Sequence, residues 1–378
     1  MWAGFPSLIS FQGGEMAMRS DAWSRVEAEL AESEGCGRCY AAVERNDRIR
    51  YIRLLDAENR LPPGKRRLFS PYPNLYVRSD SWACKNPDER ALLVANGIAR
   101  LHRDWVFCGS TAALLHGLSV PWQRLGAIEA VTPSSVGLQE RPFVRRRRID
   151  DCDVEDADGT LITGVTRTVF DCLGEYDFRD GLALADSALR MSGCEAGDLI
   201  SSIDRRFSRR RGIRRALAMA AHADGRAESG GESIARAIMI EEGVYLPNLQ
   251  VELPDLIDPS NRYRVDFAWD GKCGLVVGEL DGQRKYVDER MLAGATTIDA
   301  LCAERLRESH ITAGGVPVAR FGFSDLRRGS EFKFVSMLEK FGVPMGRAPR
   351  FVNGVPDKSE VLYGGWEPET GSRGFAAA

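Results

Sequence analysis

The chain has 378 residues and a formal net charge of −3, and 44% of its residues are hydrophobic and 28% charged, which excludes a disordered or collagen-like chain. No run of about 18 apolar residues occurs, so the sequence predicts no transmembrane helix. The small net charge excludes a polycation, so any nucleic-acid contact must come from local basic clusters. The nine cysteines are an odd number, which favours reduced thiols in the cytoplasm over a secreted disulfide framework.

The order of the predicted elements favours a multidomain protein that combines α/β and α+β regions. We predict a flexible N-terminus at 1–20, a winged-helix-like region at 21–82 and an α+β region at 83–224. A mixed-sheet domain at 225–343 and a disordered tail at 344–378 complete the prediction. The tail is inferred from its Gly, Pro and charge content, which lacks helical or strand periodicity.

The first of these regions contains helical text followed by a predicted hairpin. Residues 24–33 read as a helix, and residues 40–47 and 51–60 read as two short helices. The apolar runs 67–69 and 75–77 flank a turn rich in Pro and Asn, which predicts two paired strands. Helices followed by a small hairpin are compatible with a winged helix.

The region at 225–343 alternates helix and strand patterns in a compact order. A helix begins at residues 231–244, and residues 262–270, 274–282 and 315–323 read as strands. A further helix is predicted at 298–309, between the last two strands. One strand is continuously apolar, so this order predicts a small mixed sheet covered by helices.

Three carboxylates in these strands could carry chemistry. Asp266 interrupts an apolar strand and Glu279 ends another, and burying such groups costs several kcal/mol unless they are paired or bind a metal. Glu279 and Asp281 are two residues apart, so both face the same side of an extended strand. If the strands are neighbours, the three carboxylates meet, and hard oxygen ligands of this kind suit Mg²⁺ or Mn²⁺.

Such an ion would support phosphodiester hydrolysis by activating a water and stabilising the charged phosphate. Lys285 would contact the scissile phosphate or orient the nucleophile. The alternative is that Asp266 pairs with Arg264 or Arg320, and that Glu279 and Asp281 belong to an ordinary strand end with a glycine turn.

Residues 226–343, about a third of the chain, resemble the Vsr-like branch of the PD-(D/E)XK nuclease superfamily. The resemblance implies a restriction-endonuclease-like αβββαβ mixed sheet. It also implies metal ligation by Asp266 and Glu279, with Asp281 as a third ligand and Glu232 as a supporting acid. The matching motifs are Gly231-Glu232-Ser233, Val265-Asp266-Phe267, Glu279-Leu280-Asp281-Gly282 and Val318-Ala319-Arg320-Phe321.

This chain departs from the superfamily at one position. The superfamily places a lysine two residues after the glutamate, where this chain has Asp281, and Lys285 stands where a later histidine is common. Lys285 would restore the missing charge, or the site would bind metal without cutting efficiently.

Three short motifs, at 110–118, 165–172 and 183–190, resemble the AbiEi-type antitoxin module of bacterial type IV toxin–antitoxin systems. That module begins with a DNA-binding winged helix. The resemblance implies DNA docking or regulation, and a cognate toxin protein as a partner.

Two basic clusters suit phosphate contacts, because guanidinium groups bind phosphate oxygens bidentately. The alternative is a solvated helix face or linker. The proposed contact residues are Arg145, Arg146, Arg147 and Arg148 in the first cluster, and Arg209, Arg210 and Arg211 in the second.

The sequence therefore favours a DNA-binding, magnesium-dependent endonuclease of bacterial defence or DNA repair. The alternative is a non-catalytic antitoxin-like repressor with a relic nuclease fold. A toxin-binding interaction module is a third reading. A homodimer is compatible with each.

Overall fold

The computed structural model describes residues 10–132, 143–149, 153–255, 257–258, 260–281, 305–306 and 309–366. The chain divides into two compact units, Met1–Thr168 (unit 1) and Val169–Ala378 (unit 2). The junction predicted near residue 225 is not where the division falls. Helices on both sides of residue 225 pack together, and a buried ion pair between Arg236 and Asp186 joins them.

Unit 1 begins with two helices and a three-stranded antiparallel sheet of order β1-β3-β2. The predicted hairpin is present, whereas the helix predicted at 40–47 is wrong at its start, because Tyr40 and Ala41 pair with β3. The two short helices form one helix, and residues 10–20, predicted to be flexible, belong to the first helix. The elements are α1 Ser10–Gly35, β1 Tyr40–Ala41, α2 Arg45–Asn59, β2 Leu68–Tyr72 and β3 Leu75–Arg78.

The rest of unit 1 is built around a five-stranded sheet of order β6-β5-β4-β8-β7. The helix before this sheet begins at a capping box, in which Asn86 and Glu89 satisfy each other's backbone amides. Its elements are α3 Ser79–Cys84, α4 Pro87–Leu101, β4 Val106–Phe107, α5 Gly109–Leu115, β5 Ile128–Thr132, β6 Val144–Arg148, β7 Val154–Ala157 and β8 Thr160–Thr163.

Five helices follow, the first of which crosses the division between the units. Arg236 and Asp186 are almost fully buried and lie 2.6 Å apart, and Arg236 also donates to the carbonyl of His222 at 3.0 Å. These contacts fix one helix of the group against another. The helices are α6 Val165–Glu175, α7 Phe178–Ser192, α8 Ala196–Phe207, α9 Ile213–Ala220 and α10 Gly230–Glu241.

The sheet of unit 2 has the order β12-β11-β10-β9, antiparallel except for the parallel pair β11–β12. Phe267, Phe321 and Phe334 pack together on one of its faces. The elements are β9 Asn248–Pro254, β10 Arg262–Gly271, β11 Gly274–Asp281, β12 Val318–Gly322 and α11 Glu331–Lys340. The predicted strands are present, and β9 was not predicted. Most of the helix predicted at 298–309 lies outside the described residues.

The disordered tail predicted from residue 344 is wrong for residues up to 366. The hairpin of β13 Phe351–Val352 and β14 Val355–Pro356 packs there, with Val355 fully buried. The chain then returns to the sheet, and the Trp366 amide donates to the Ala268 carbonyl at 3.2 Å. Gly and Pro content is therefore a poor guide here, because backbone pairing rather than periodicity holds the segment.

The predicted α+β multidomain architecture is confirmed at this level. No helix within the described residues combines the length and apolarity needed to cross a membrane.

Candidate functional site

The Asp266 carboxylate lies where the pairing of β10 and β11 stops. The last paired residues on this side are Phe267 and Gly278, so Asp266 and Glu279 are the next residues across from one another. The Leu280 amide donates to Asp266 Oδ2 at 2.9 Å. A side-chain oxygen therefore takes the place of a backbone acceptor and holds the carboxylate beside β11.

Glu279 is a buried carboxylate, with 7% of its surface exposed. It lies in the centre of the sheet, between β10 and β12, and is in register with Arg320 of β12. A buried carboxylate is stable only with compensating partners or a cation. The predicted meeting of Asp266 and Glu279 on neighbouring strands is what the register contains.

A glutamine links Asp266 to the start of α10. The Gln250 side-chain nitrogen lies 3.0 Å from Glu232 Oε2 and 3.4 Å from Asp266 Oδ1. Glu232 also accepts hydrogen bonds from the Glu228 amide at 2.8 Å and the Ser229 hydroxyl at 2.7 Å. The resulting cluster joins Glu232, Gln250 and Asp266 from three separate elements.

The backbone at Gln250 is irregular at the position facing Asp266. Its φ is +53°, a region that non-glycine residues rarely adopt. The pairing of β9 with β10 skips this position, between the pairs Val251–Val265 and Leu249–Phe267. Sequence reasoning missed Gln250, because β9 was not predicted and a single Gln carries no periodic signal. Such local strain is found most often at functional sites.

Burial raises the pKa of Glu232 above its usual range, and the negative charge of Asp266 raises it further. Glu232 therefore holds a proton more readily than an exposed glutamate. It also caps α10, because its own amide donates to Ser229 Oγ at 3.1 Å. Glu232 thus combines a structural role with a perturbed carboxyl group.

Asp281 is turned to a different partner. It forms an ion pair with Arg320 at 2.9 Å, and 45% of its side chain is exposed. Arg264 pairs with Glu228 at 2.7 Å. The alternative in which one of these arginines neutralises Asp266 is therefore wrong, since the described contacts of Asp266 go to Gln250 and Leu280. Lys285 lies outside the described residues.

Metal binding has to be judged from the carboxylates that face each other. Among the described residues, no group of three or more His, Cys, Asp or Glu side chains is spaced to hold a metal ion. The arrangement of Asp266, Glu279 and Asp281 as three ligands is therefore not assembled in that part of the chain. Asp266 and Glu279 remain as an opposed pair of oxygen donors.

The first basic cluster is largely engaged within unit 1. Arg145 and Arg147 bind the buried Glu129 at 3.3 and 2.7 Å. The guanidinium of Arg146 lies 3.7 Å from the centre of the Trp105 ring. These contacts account for three arginines without a phosphate, and Arg148 is exposed.

The second basic cluster is open to solvent. Arg209, Arg210 and Arg211 are exposed in the connection between α8 and α9. Arg215, at the end of the same cluster, instead donates to the Asn353 carbonyl at 2.7 Å. Only part of this cluster is therefore placed to reach a phosphate.

Comparison with known proteins gives distant relatives. Two curated proteins of Mycobacterium tuberculosis, from strains CDC 1551 and H37Rv and both described as uncharacterised, are each 33% identical to this chain over 167 residues. The match covers 43% of this chain and 58% of each relative. No protein-family model matches the chain, and no solved structure does.

Proposed function

We propose that unit 2 is a PD-(D/E)XK-like endonuclease domain that hydrolyses phosphodiester bonds in DNA with a divalent metal. The observation that carries this proposal is the position of Asp266 and Glu279, which oppose each other where the pairing of β10 and β11 ends. The helix–strand order of α10 and β9 to β12 agrees with the fold implied by the sequence resemblance.

The donor set fits a hard cation. Mg²⁺ usually keeps several waters and binds through one or two carboxylates plus substrate phosphate oxygens. Asp266 and Glu279 would supply the two carboxylates, which explains how two protein ligands suffice. When bound, the ion would generate a nucleophilic water and stabilise the charge that develops on the phosphate.

The surrounding residues have separate roles in this proposal. Gln250 positions Asp266 by donating to both Asp266 and Glu232. Glu232, whose pKa is raised by burial, acts as the auxiliary acid. The Asp281–Arg320 pair lies on the same strands as the ligands, and Lys285 would contact the phosphate.

The proposed setting is bacterial defence or DNA repair in the cytoplasm, with DNA as the partner. Unit 1 would dock on DNA through its winged-helix-like sheet, and the exposed Arg209, Arg210 and Arg211 would contact phosphates. Their substitution by alanine should weaken binding and reduce its salt dependence.

A second candidate function is a non-catalytic repressor of a type IV toxin–antitoxin system, with a toxin protein as partner. The observation that favours it is Asp281, which occupies the superfamily's lysine position and is neutralised by Arg320. A repressor of this kind would bind DNA tightly and would leave it intact.

Cleavage of supercoiled, linear and single-stranded DNA with Mg²⁺ or Mn²⁺ tests the first proposal. Asp266→Asn and Glu279→Gln should each reduce metal-dependent cleavage at least 100-fold. Asp270→Asn is the matched control, because Asp270 is an exposed carboxylate on the same strand as Asp266. Cleavage that survives both changes would contradict the site, and salt-sensitive binding without cleavage would favour the repressor.

A further inference from the structure

Unit 1 contains a cavity of about 340 Å³ between α2, β2 and α3. This volume lies within the range of about 300 to 1,000 Å³ that is usual for small-molecule sites. Leu55 and Leu68 supply apolar lining, and Asn59, Ser70 and Ser79 supply polar lining. The cavity belongs to neither the carboxylate cluster nor the two arginine clusters predicted from the sequence.

Two aromatic rings line this cavity together. The rings of Phe69 and Trp82 have centroids 5.2 Å apart and planes tilted by 35°. Phe69 is 40% exposed. Arg90 donates to the Trp82 carbonyl at 3.0 Å, and its guanidinium lies 5.3 Å from the centre of the Trp82 ring. Trp82 is therefore held in place while Phe69 remains open to solvent.

A cation stands in the wall of the same cavity. Arg66 lines it, and its guanidinium donates to the carbonyls of Leu61 and Asn59 at 3.1 and 3.3 Å. Among the described residues, no carboxylate forms an ion pair with Arg66. These backbone contacts orient the guanidinium and leave its positive charge uncompensated by an anion.

The surrounding sequence is positive as well. Residues 44–67 hold eight Lys and Arg side chains and four carboxylates, a net charge of +4 in a chain whose net charge is −3. An occupant that complements the cavity therefore combines a flat aromatic group with negative charge.

We propose that this cavity binds one unpaired nucleotide of a DNA strand. The base stacks on Phe69 and Trp82, and Arg66 contacts the adjacent phosphate. Stacking of a base on aromatic side chains contributes about 1–3 kcal/mol and tolerates any base. Asn59, with one donor and one acceptor group on its side-chain amide, is placed to bond the edge of the base.

This site is independent of cleavage, because it lies in unit 1 and the carboxylates lie in unit 2. Binding can be measured without metal, by fluorescence anisotropy of a labelled oligothymidylate. A second oligonucleotide of the same length, with abasic residues in place of the bases, keeps the phosphates and removes stacking. The wild-type protein should bind the base-containing strand at least tenfold more tightly.

The variants separate stacking from charge. Phe69→Ala and Trp82→Ala should remove most of the tenfold preference, whereas Trp82→Phe should retain it. Trp122→Ala is the matched control, because Trp122 is a 56% exposed tryptophan elsewhere in unit 1. Arg66→Ala should weaken both oligonucleotides equally and lower the salt dependence of binding by about one phosphate contact.

Three results would overturn the proposal. These are equal binding of the two oligonucleotides, a Phe69→Ala variant that keeps the preference, and a free mononucleotide that competes as well as the strand. Base-dependent binding that persists in Asp266→Asn would support this site even if cleavage is never observed. Loss of cleavage in Asp266→Asn would equally leave the cavity untested by that variant, so the two proposals fail separately.

Discussion

The Leu280 amide donates to the Asp266 carboxylate at 2.9 Å, across the gap where β10 and β11 stop pairing. The carboxylate therefore serves the fold as well as the proposed chemistry, since it satisfies a backbone donor in the interior of the sheet. A substitution at Asp266 has to separate these two contributions.

We predict that Asp266→Asn folds like the wild type, whereas Asp266→Ala is less stable by about 1–3 kcal/mol. The asparagine side chain keeps an acceptor oxygen for the Leu280 amide, and alanine leaves that donor unpaired. Hydrogen exchange of peptides that contain Leu280 measures the difference. Equal protection in the two variants would mean that this hydrogen bond contributes nothing to the sheet.

The buried pair of Arg236 and Asp186 should be a major source of stability in unit 2. Arg236→Ala leaves Asp186 buried without its cation and should cost about 3–5 kcal/mol. The double variant Asp186→Leu with Arg236→Met should recover much of that loss, because no charge stays buried. Hydrogen exchange of peptides from α7 and α10 follows both effects. A mild Arg236→Ala variant would show that solvent or another cation compensates Asp186.

His222 predicts a pH dependence of stability below neutrality. Burial lowers its pKa from 6.5 to about 4, because its ring is enclosed and its Nε2 bonds the Pro356 carbonyl at 2.9 Å. The unfolded chain binds the proton at a higher pH than the folded chain does. The free energy of unfolding should therefore be full above about pH 6.5 and fall by up to roughly 3 kcal/mol towards pH 4.

Urea denaturation across that pH range measures this dependence. His222→Gln keeps a donor for the Pro356 carbonyl and cannot titrate, so its stability should change less with pH. An unchanged slope in the variant would assign the pH dependence to other groups.

Removal of the C-terminal segment should destabilise unit 2. A chain that ends at Val343 loses the buried Val355 and the hydrogen bond from Trp366 to Ala268. It also loses the acceptor of His222. We expect a lower Tm by calorimetry, whereas a chain that ends at Trp366 should melt like the full chain. Identical melting of the two truncated chains would contradict a structural role for residues 344–366.

The elements that the sequence predicted correctly are those with strong local patterns. The strand containing Asp266 and the strand ending at Asp281 have apolar runs long enough to identify. Because the register of neighbouring strands brings residues face to face, the spacing of Asp266 and Glu279 also predicted their meeting. Tyr40 and Ala41 failed as helix because their pairing with a distant strand outweighs local propensity.

The remaining features depend on contacts between residues far apart in the chain. Gln250 reaches Glu232 and Asp266 through an irregular backbone that no periodicity marks. Arg145 and Arg147 read as phosphate contacts until the fold places Glu129 beside both. A charge cluster in a sequence gives no sign of a single buried partner.

The return of residues 363–366 to the sheet also sets an order of events during synthesis. Leu246 pairs with Tyr363 and Trp269 with Gly365, so an early part of unit 2 waits for residues made about a hundred positions later. Domains fold from the N-terminus as the ribosome elongates the chain at about 5–20 residues per second. Unit 1 can therefore bind DNA while translation continues, and the carboxylate cluster reaches its finished surroundings only after its last flanking residues have been released.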